Sequence, residues 1–307
     1  MFYVCSMTGL HVHWFRQDLR VHDHAPLKAA NLAAERDGGH VVPLFIFEPD
    51  IPVSAFLTDS LRDLEDALDQ RGAALHYRHG EAIAVLSDLH RDHNILSLYV
   101  HETTRPLSDD HAIEAWCLRA GIALRAFPQF GPDRTTGRAD VGQGAWDAFM
   151  AAPRHEAPAD LSAADVGVGQ RPTASAPPDD LETDLPGGRK AAIKTLKRVL
   201  GPVSDLGQVA APAERVPLSH FERLAPYLEA GLVSIREAWQ AAVTARNQYL
   251  AAGQDIRAAQ VTDLIRNLPV FYRTRYGERS HTFAPHRRPG PGEDKQLSLD
   301  LDPTGTG

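Results

Sequence analysis

The stretch HVHWFRQDLRVHDHAPLKAA, His11 to Ala30, decides how the chain folds. It opens on an apolar run at Val12–Phe15, crosses a turn holding Arg16, Asp18, Arg20 and Asp23, and enters a helical pattern at Pro26. A buried strand that feeds a helix through a short polar turn is the first half of a βαβ unit. The pattern recurs downstream. Strand-like runs follow at Val41–Phe47, Ala74–Tyr77, Leu96–Val100 and Ala123–Phe127. Between the runs lie helical patterns at Pro26–Glu35, Leu57–Gln70, Glu81–Asp92 and Asp110–Ala120, the second with Leu61, Leu64 and Leu68 on one face. Apolar strands alternating with helices of this length specify a parallel sheet covered on both faces. Right-handed crossovers then predict a doubly wound, Rossmann-like α/β domain. Its five strands take the order 3-2-1-4-5, with Arg16–Asp23 at the carboxyl edge of the central strand.

Ligands of doubly wound sheets bind just beyond the carboxyl ends of the strands, so this turn is placed to touch one. The competing reading is structural: the four charged residues pair with one another and with backbone groups to hold the crossover. No G-x-G-x-x-G occurs in the turn, which removes a dinucleotide fingerprint there. Asp18 and Arg20 are expected mainly to brace the crossover.

Composition bounds the rest. At 307 residues the chain has room for one large domain and a smaller one. With 43% hydrophobic and 23% charged residues it has the balance of a soluble globular protein. A formal charge of -8 argues against a protein basic all over and leaves room for a local basic groove. Two cysteines, Cys5 and Cys117, make neither a disulfide framework nor a cysteine-rich metal site. No apolar run suffices to span a bilayer. The opening MFYVCSM lacks the basic flank of a signal peptide, and translation starts at Met1 or Met7. A cytoplasmic protein with no membrane partner is expected. Of the fifteen histidines, His11, His13, His22 and His24 show i, i+2 spacing and His90 and His93 share a helix. None falls in a ligand motif such as H-E-x-x-H, so no metal site is assigned; G-x-S-x-G and P-loop motifs are also absent.

Beyond the α/β domain (1–130) the pattern dissolves into an interdomain linker (131–186). It contains a short helix around Trp146 and the proline- and acid-rich RPTASAPPDDLETDLPGG. A partial helical region (187–285) opens with GGRKAAIKTLKRVL, where Ala192, Leu196, Val199 and Leu200 form a stripe against a basic face. Helical periodicity returns over Ala225–Ala242 and Ala258–Leu268, and 286–307 reads as a disordered tail.

Trp14-Phe15-Arg16-Gln17-Asp18-Leu19-Arg20-Val21-His22-Asp23-His24 resembles the W-F-R-x-D-L-R-x-x-D-N opening of the DNA photolyase/cryptochrome family, with His24 in place of the usual Asn. Pro43–Phe47 continues the resemblance, as do Gly187–Ala192, Arg223–Leu228 and Gly231–Glu237. The resemblance implies an α/β domain that often holds an antenna chromophore and a helical domain that holds FAD. The family reaction it implies is light-driven, FAD-dependent splitting of pyrimidine dimers in DNA. Arg16, Asp18 and Arg20, with Glu102 from the His101–Arg105 loop, become the candidate antenna pocket; Arg223 and Tyr227 fall in the flavin region.

The resemblance then breaks. The family's flavin phosphates are held by T-S-x-L-S, and the matching positions here are Phe221, Glu222, Arg223, Leu224 and Ala225. Three hydroxyls are missing, and a carboxylate at Glu222 repels a phosphate by roughly 4 kcal/mol per unit charge at ~4 Å and an effective dielectric of ~20. In the following helix Arg266 occupies the family's tryptophan position, and Pro269 is expected to break or kink the helix at a cost of about 3 kcal/mol. Arg266, Arg273, Arg275 and Arg279 form either a solvated basic face or a phosphate-contacting patch. The chain also ends well before the family's isoalloxazine-binding segments. These departures predict a truncated, non-catalytic or accessory DNA-repair protein that does not bind FAD. The alternative is an active photolyase, alone or completed by a second polypeptide. Near the end, Gln296, Leu297, Ser298, Leu299, Asp300 and Leu301 resemble the peptide that grips the bacterial sliding clamp, with Gln296 at the rim and the leucines as anchors.

Overall fold

A computed structural model describes residues 9–49, 53–103, 110–131, 143–173, 185–201 and 220–277. Five parallel strands form one sheet: β1 (Leu10–Phe15), β2 (His40–Phe47), β3 (His76–His79), β4 (Ile95–His101) and β5 (Ala123–Phe127). Their order is β3-β2-β1-β4-β5, as the crossover argument requires. Between them lie α1 (Ala25–Asp37), α2 (Ala55–Asp69), α3 (Ala82–His93) and α4 (Asp110–Ala120). β3 starts two residues later than its apolar run, at His76, where it pairs with Leu44.

The period of two along β1 sorts its side chains onto opposite faces. Val12 and Trp14 join the core beneath Leu86, Leu89, Ile113 and Trp116 of α3 and α4. Phe15 joins the other core, with Leu27 of α1 and Leu61 and Leu64 of α2. His11 and His13 lie on this second face and are buried there. Every residue of β1 is buried, as expected of a central strand.

The residues after the sheet do more than span a gap. Helix α5 (Gln143–Ala151) buries Trp146 and Met150. An extended segment then follows the free side of β2 and β3. Val41 N–H donates to Ser162 O at 2.6 Å, Ala164 N–H to Val41 O at 3.1 Å, and Tyr77 N–H to Val168 O at 2.6 Å. Arg78 donates to the carbonyls of Val166 and Gly167. The strap covers a sheet edge whose backbone groups would otherwise be free to pair with another chain.

Four further helices follow: α6 (Arg189–Leu200), α7 (His220–Glu229), α8 (Ile235–Ala251) and α9 (Asp255–Gly277). Leu224, Tyr227, Leu228, Leu232 and Val233 enter the same core as α1 and α2, so the helices continue the core of the α/β domain. α9 runs through Pro269. Buried Leu264, Leu268 and Phe271 on either side of it fix the helix by packing, which outweighs the local preference. Among the described residues no helix is long and apolar enough to cross a membrane. Gln296, Leu297, Leu299 and Leu301 lie outside the described residues, as does Arg279.

Candidate functional site at the carboxyl edge of the central strand

Asp18 is the centre of the turn after β1, with no exposed surface. Its Oδ1 accepts the Arg16 N–H at 2.7 Å and its Oδ2 accepts His101 Nδ1–H at 2.8 Å. Two more imidazoles close on Oδ2: His24 Nε2 at 3.0 Å and His13 Nε2 at 3.5 Å. Neither of those contacts is a well-aligned hydrogen bond. Burial alone would raise the Asp18 carboxyl; the histidines, His101 foremost, hold it well below the usual carboxylate range. Burial likewise pushes His101 down to about 4 and His24 well below its ordinary value. The cluster at neutral pH is therefore an ionised carboxylate among imidazoles of which His24 and His101 are neutral.

Local chemistry sets each ring. His24 sits just before α1 and caps it, Nδ1 accepting the Leu27 N–H at 3.2 Å, with Pro26 in the first turn. His13 points inward from β1 and approaches the Tyr99 carbonyl through Nδ1 at 3.1 Å, which places that ring's proton on Nδ1. His101 ends β4, and its carbonyl accepts Arg16 Nη2–H at 2.5 Å.

The other charged residues of the turn bind the helices to the sheet. Arg20 is buried and donates to the carbonyls of His22, Asp23 and Gly231 at 3.1, 3.1 and 2.8 Å. Leu19 N–H reaches Ala230 O, and Gln129 donates to Gln17 O. Asp23 adopts φ +47° and receives Arg236, Ser234 and the backbone N–H of His155 on its carboxylate. Thus Arg16 and Arg20 donate to backbone carbonyls around the turn, while Asp18 receives the Arg16 N–H and the His101 ring.

The remaining candidates lie apart from that cluster. Glu102, half-buried, follows β4 and gives its N–H to Phe127 O. Tyr227 is fully buried, donates its hydroxyl to Pro186 O at 3.1 Å and faces Phe56 of α2 at 5.6 Å. Arg223 is half-buried one turn earlier on α7. What the sequence reading missed is the imidazole shell. Its signal was present in the i, i+2 spacing of His11 and His13 on an all-buried strand, and in His24 at the cap position.

Fold and site define a doubly wound α/β domain with helices docked at its carboxyl edge. Residues 11–130 match the DNA photolyase family model, so the α/β domain of this chain is similar to that of the DNA photolyases and cryptochromes. It is 31% identical over 131 residues to Cryptochrome-1 of Drosophila melanogaster, covering 38% of this chain and 24% of that one. A deoxyribodipyrimidine photo-lyase of Halobacterium salinarum is 26% identical over 273 residues, 76% of this chain and 54% of that protein. The crystal structure of a bacterial class III photolyase from Agrobacterium tumefaciens superposes with a TM-score of 0.61 at 21% identity, covering 91% of this chain and 62% of that chain. The match to the Drosophila protein thus spans about a quarter of that relative's length.

Proposed function

We propose that this protein serves DNA repair in a non-catalytic, accessory role, without a bound catalytic flavin. One observation carries the reading. At the start of α7, where the resembling family places the hydroxyls of its phosphate loop, Phe221 packs against Phe271 with ring centroids 5.7 Å apart. Phe271 in turn meets Phe130 at 6.3 Å. Glu222 sets a carboxylate in the first turn of the helix, at the end that would attract a phosphate. An apolar side chain and an anion at this position do not fit a pyrophosphate.

A contact to DNA is supported by α6, on which Lys190, Lys194 and Lys197 are exposed at helical spacing with no acidic residue in the helix. Such a row contacts phosphates without reading bases. The deciding experiment is the absorption spectrum of the purified full chain, followed by titration with FAD. The expected outcome is no oxidised-flavin band and no saturable binding. A stoichiometric flavin band overturns the proposal. In parallel, replacing the three lysines with glutamate is expected to weaken binding to duplex DNA and flatten its salt dependence.

A further inference from the structure

We propose that His13 Nε2, Asp18 Oδ2 and His24 Nε2 form an internal binding site for a divalent transition-metal ion, with zinc the choice by donor type. The three ligand atoms lie within 4.8 Å of one another, and all three residues are buried. Two imidazole nitrogens and one carboxylate oxygen are a donor set that suits zinc. Bonds of about 2.0–2.1 Å in a tetrahedron place ligand atoms roughly 3.3 Å apart. Asp18 Oδ2 stands 3.0 Å from His24 Nε2 and 3.5 Å from His13 Nε2, on either side of that value.

The hydrogen bonds around the three residues argue the same way. His13 Nε2 has no well-aligned hydrogen bond although it is buried beside a carboxylate, and His24 Nε2 faces the same Asp18 Oδ2 at 3.0 Å. An unpaired polar atom in such a place is costly and calls for an explanation. For His13, the Tyr99 carbonyl holds the proton on Nδ1 and leaves the Nε2 lone pair facing inward, the arrangement by which outer partners orient metal-bound histidines. For Asp18, the Arg16 N–H and His101 Nδ1–H fix the carboxylate plane. His24 requires a rearrangement. Its Nδ1 accepts the Leu27 N–H, so its proton sits on Nε2. Coordination moves that proton to Nδ1 and gives up the Leu27 cap, a 3.2 Å bond set against a metal–imidazole bond. The ion would tie the middle of β1 to the start of α1 across the charged turn.

The test uses the full chain after dialysis against a chelator. Zinc is titrated by calorimetry and cobalt(II) by visible absorption. One equivalent of zinc is expected to bind and to raise the melting temperature. Cobalt should give tetrahedral bands without the thiolate charge transfer that Cys117 would produce. His24→Asn, which keeps a good helix cap, should weaken zinc binding by about 100-fold or more, while His93→Ala on the outside of α3 leaves it intact. Should His24→Asn fail to melt cooperatively, His13→Gln takes its place. No bound equivalent, a thiolate band, or full binding by the folded His24→Asn protein overturns the proposal.

Discussion

Asp23 and Arg236, 213 residues apart in sequence, form a buried ion pair with Nη2 2.7 Å from Oδ1. Ser234 Oγ–H adds a bond of 2.5 Å to Oδ2, and the backbone N–H of His155 adds one of 3.1 Å to Oδ1. One carboxylate in the turn after β1 thus gathers the strap and the start of α8. Arg236→Ala leaves that carboxylate buried without its cation, a loss of about 3–5 kcal/mol. Equilibrium urea unfolding should register it, and Arg236→Lys should restore only part, since an ammonium cannot reproduce the two-pronged contact.

The same pair predicts an acid limb. The Asp23 carboxyl is lowered from 3.8 to about 2: burial opposes the shift, but Arg236 and Ser234 overcome it. A depressed carboxylate contributes stability that is complete above the unfolded value and lost as pH falls toward the folded one. The shift corresponds to about 2 kcal/mol, lost between about pH 4 and pH 2. Asp23→Asn should flatten this part of the stability profile; an unchanged acid limb would mean that other carboxylates dominate it.

Asp18→Ala removes the acceptor of the Arg16 N–H and of His101 Nδ1–H. Stranding two buried donors costs about 1–3 kcal/mol each, and the melting temperature should fall whether or not a chromophore or metal is present. Loss of ligand binding with unchanged stability would refute the bracing role of the turn.

Gly231 tests the docking of helices on sheet. Its φ is +68°, and a Cβ there would collide with Gln17 O and lie 2.5 Å from Asp18 Cα. Backbone cannot yield as a flexible side chain does, so Gly231→Ala should destabilise by about 3 kcal/mol or more. Gly253 shares the φ of +68° but has open space around it. Gly253→Ala should cost only about 1–2 kcal/mol, the backbone strain alone. Equal losses at the two sites would show that the close approach contributes nothing.

Much of the architecture was written in periodicity. Strands read as apolar runs, helices as 3.6-residue stripes such as Leu61, Leu64 and Leu68, and parallel crossovers leave few orders for five strands. These are local or nearly local signals, carried by neighbouring residues. Pro269 is the exception, because the preference of one residue was overruled by burial on both sides of it. The charged turn was recognisable as a turn, and a bracing role was the expectation drawn from its position. Its partners could not be read from the chain. Asp18 meets His101 83 residues away, and Arg20 meets Gly231 211 residues away. Pairings at that separation carry no periodicity, because only the packed core brings the two elements together. Sequence alone therefore determined the sheet, its order and the edge at which the charged turn lies. The tertiary structure decided which charges are neutralised there, and that three imidazoles converge on one buried carboxylate.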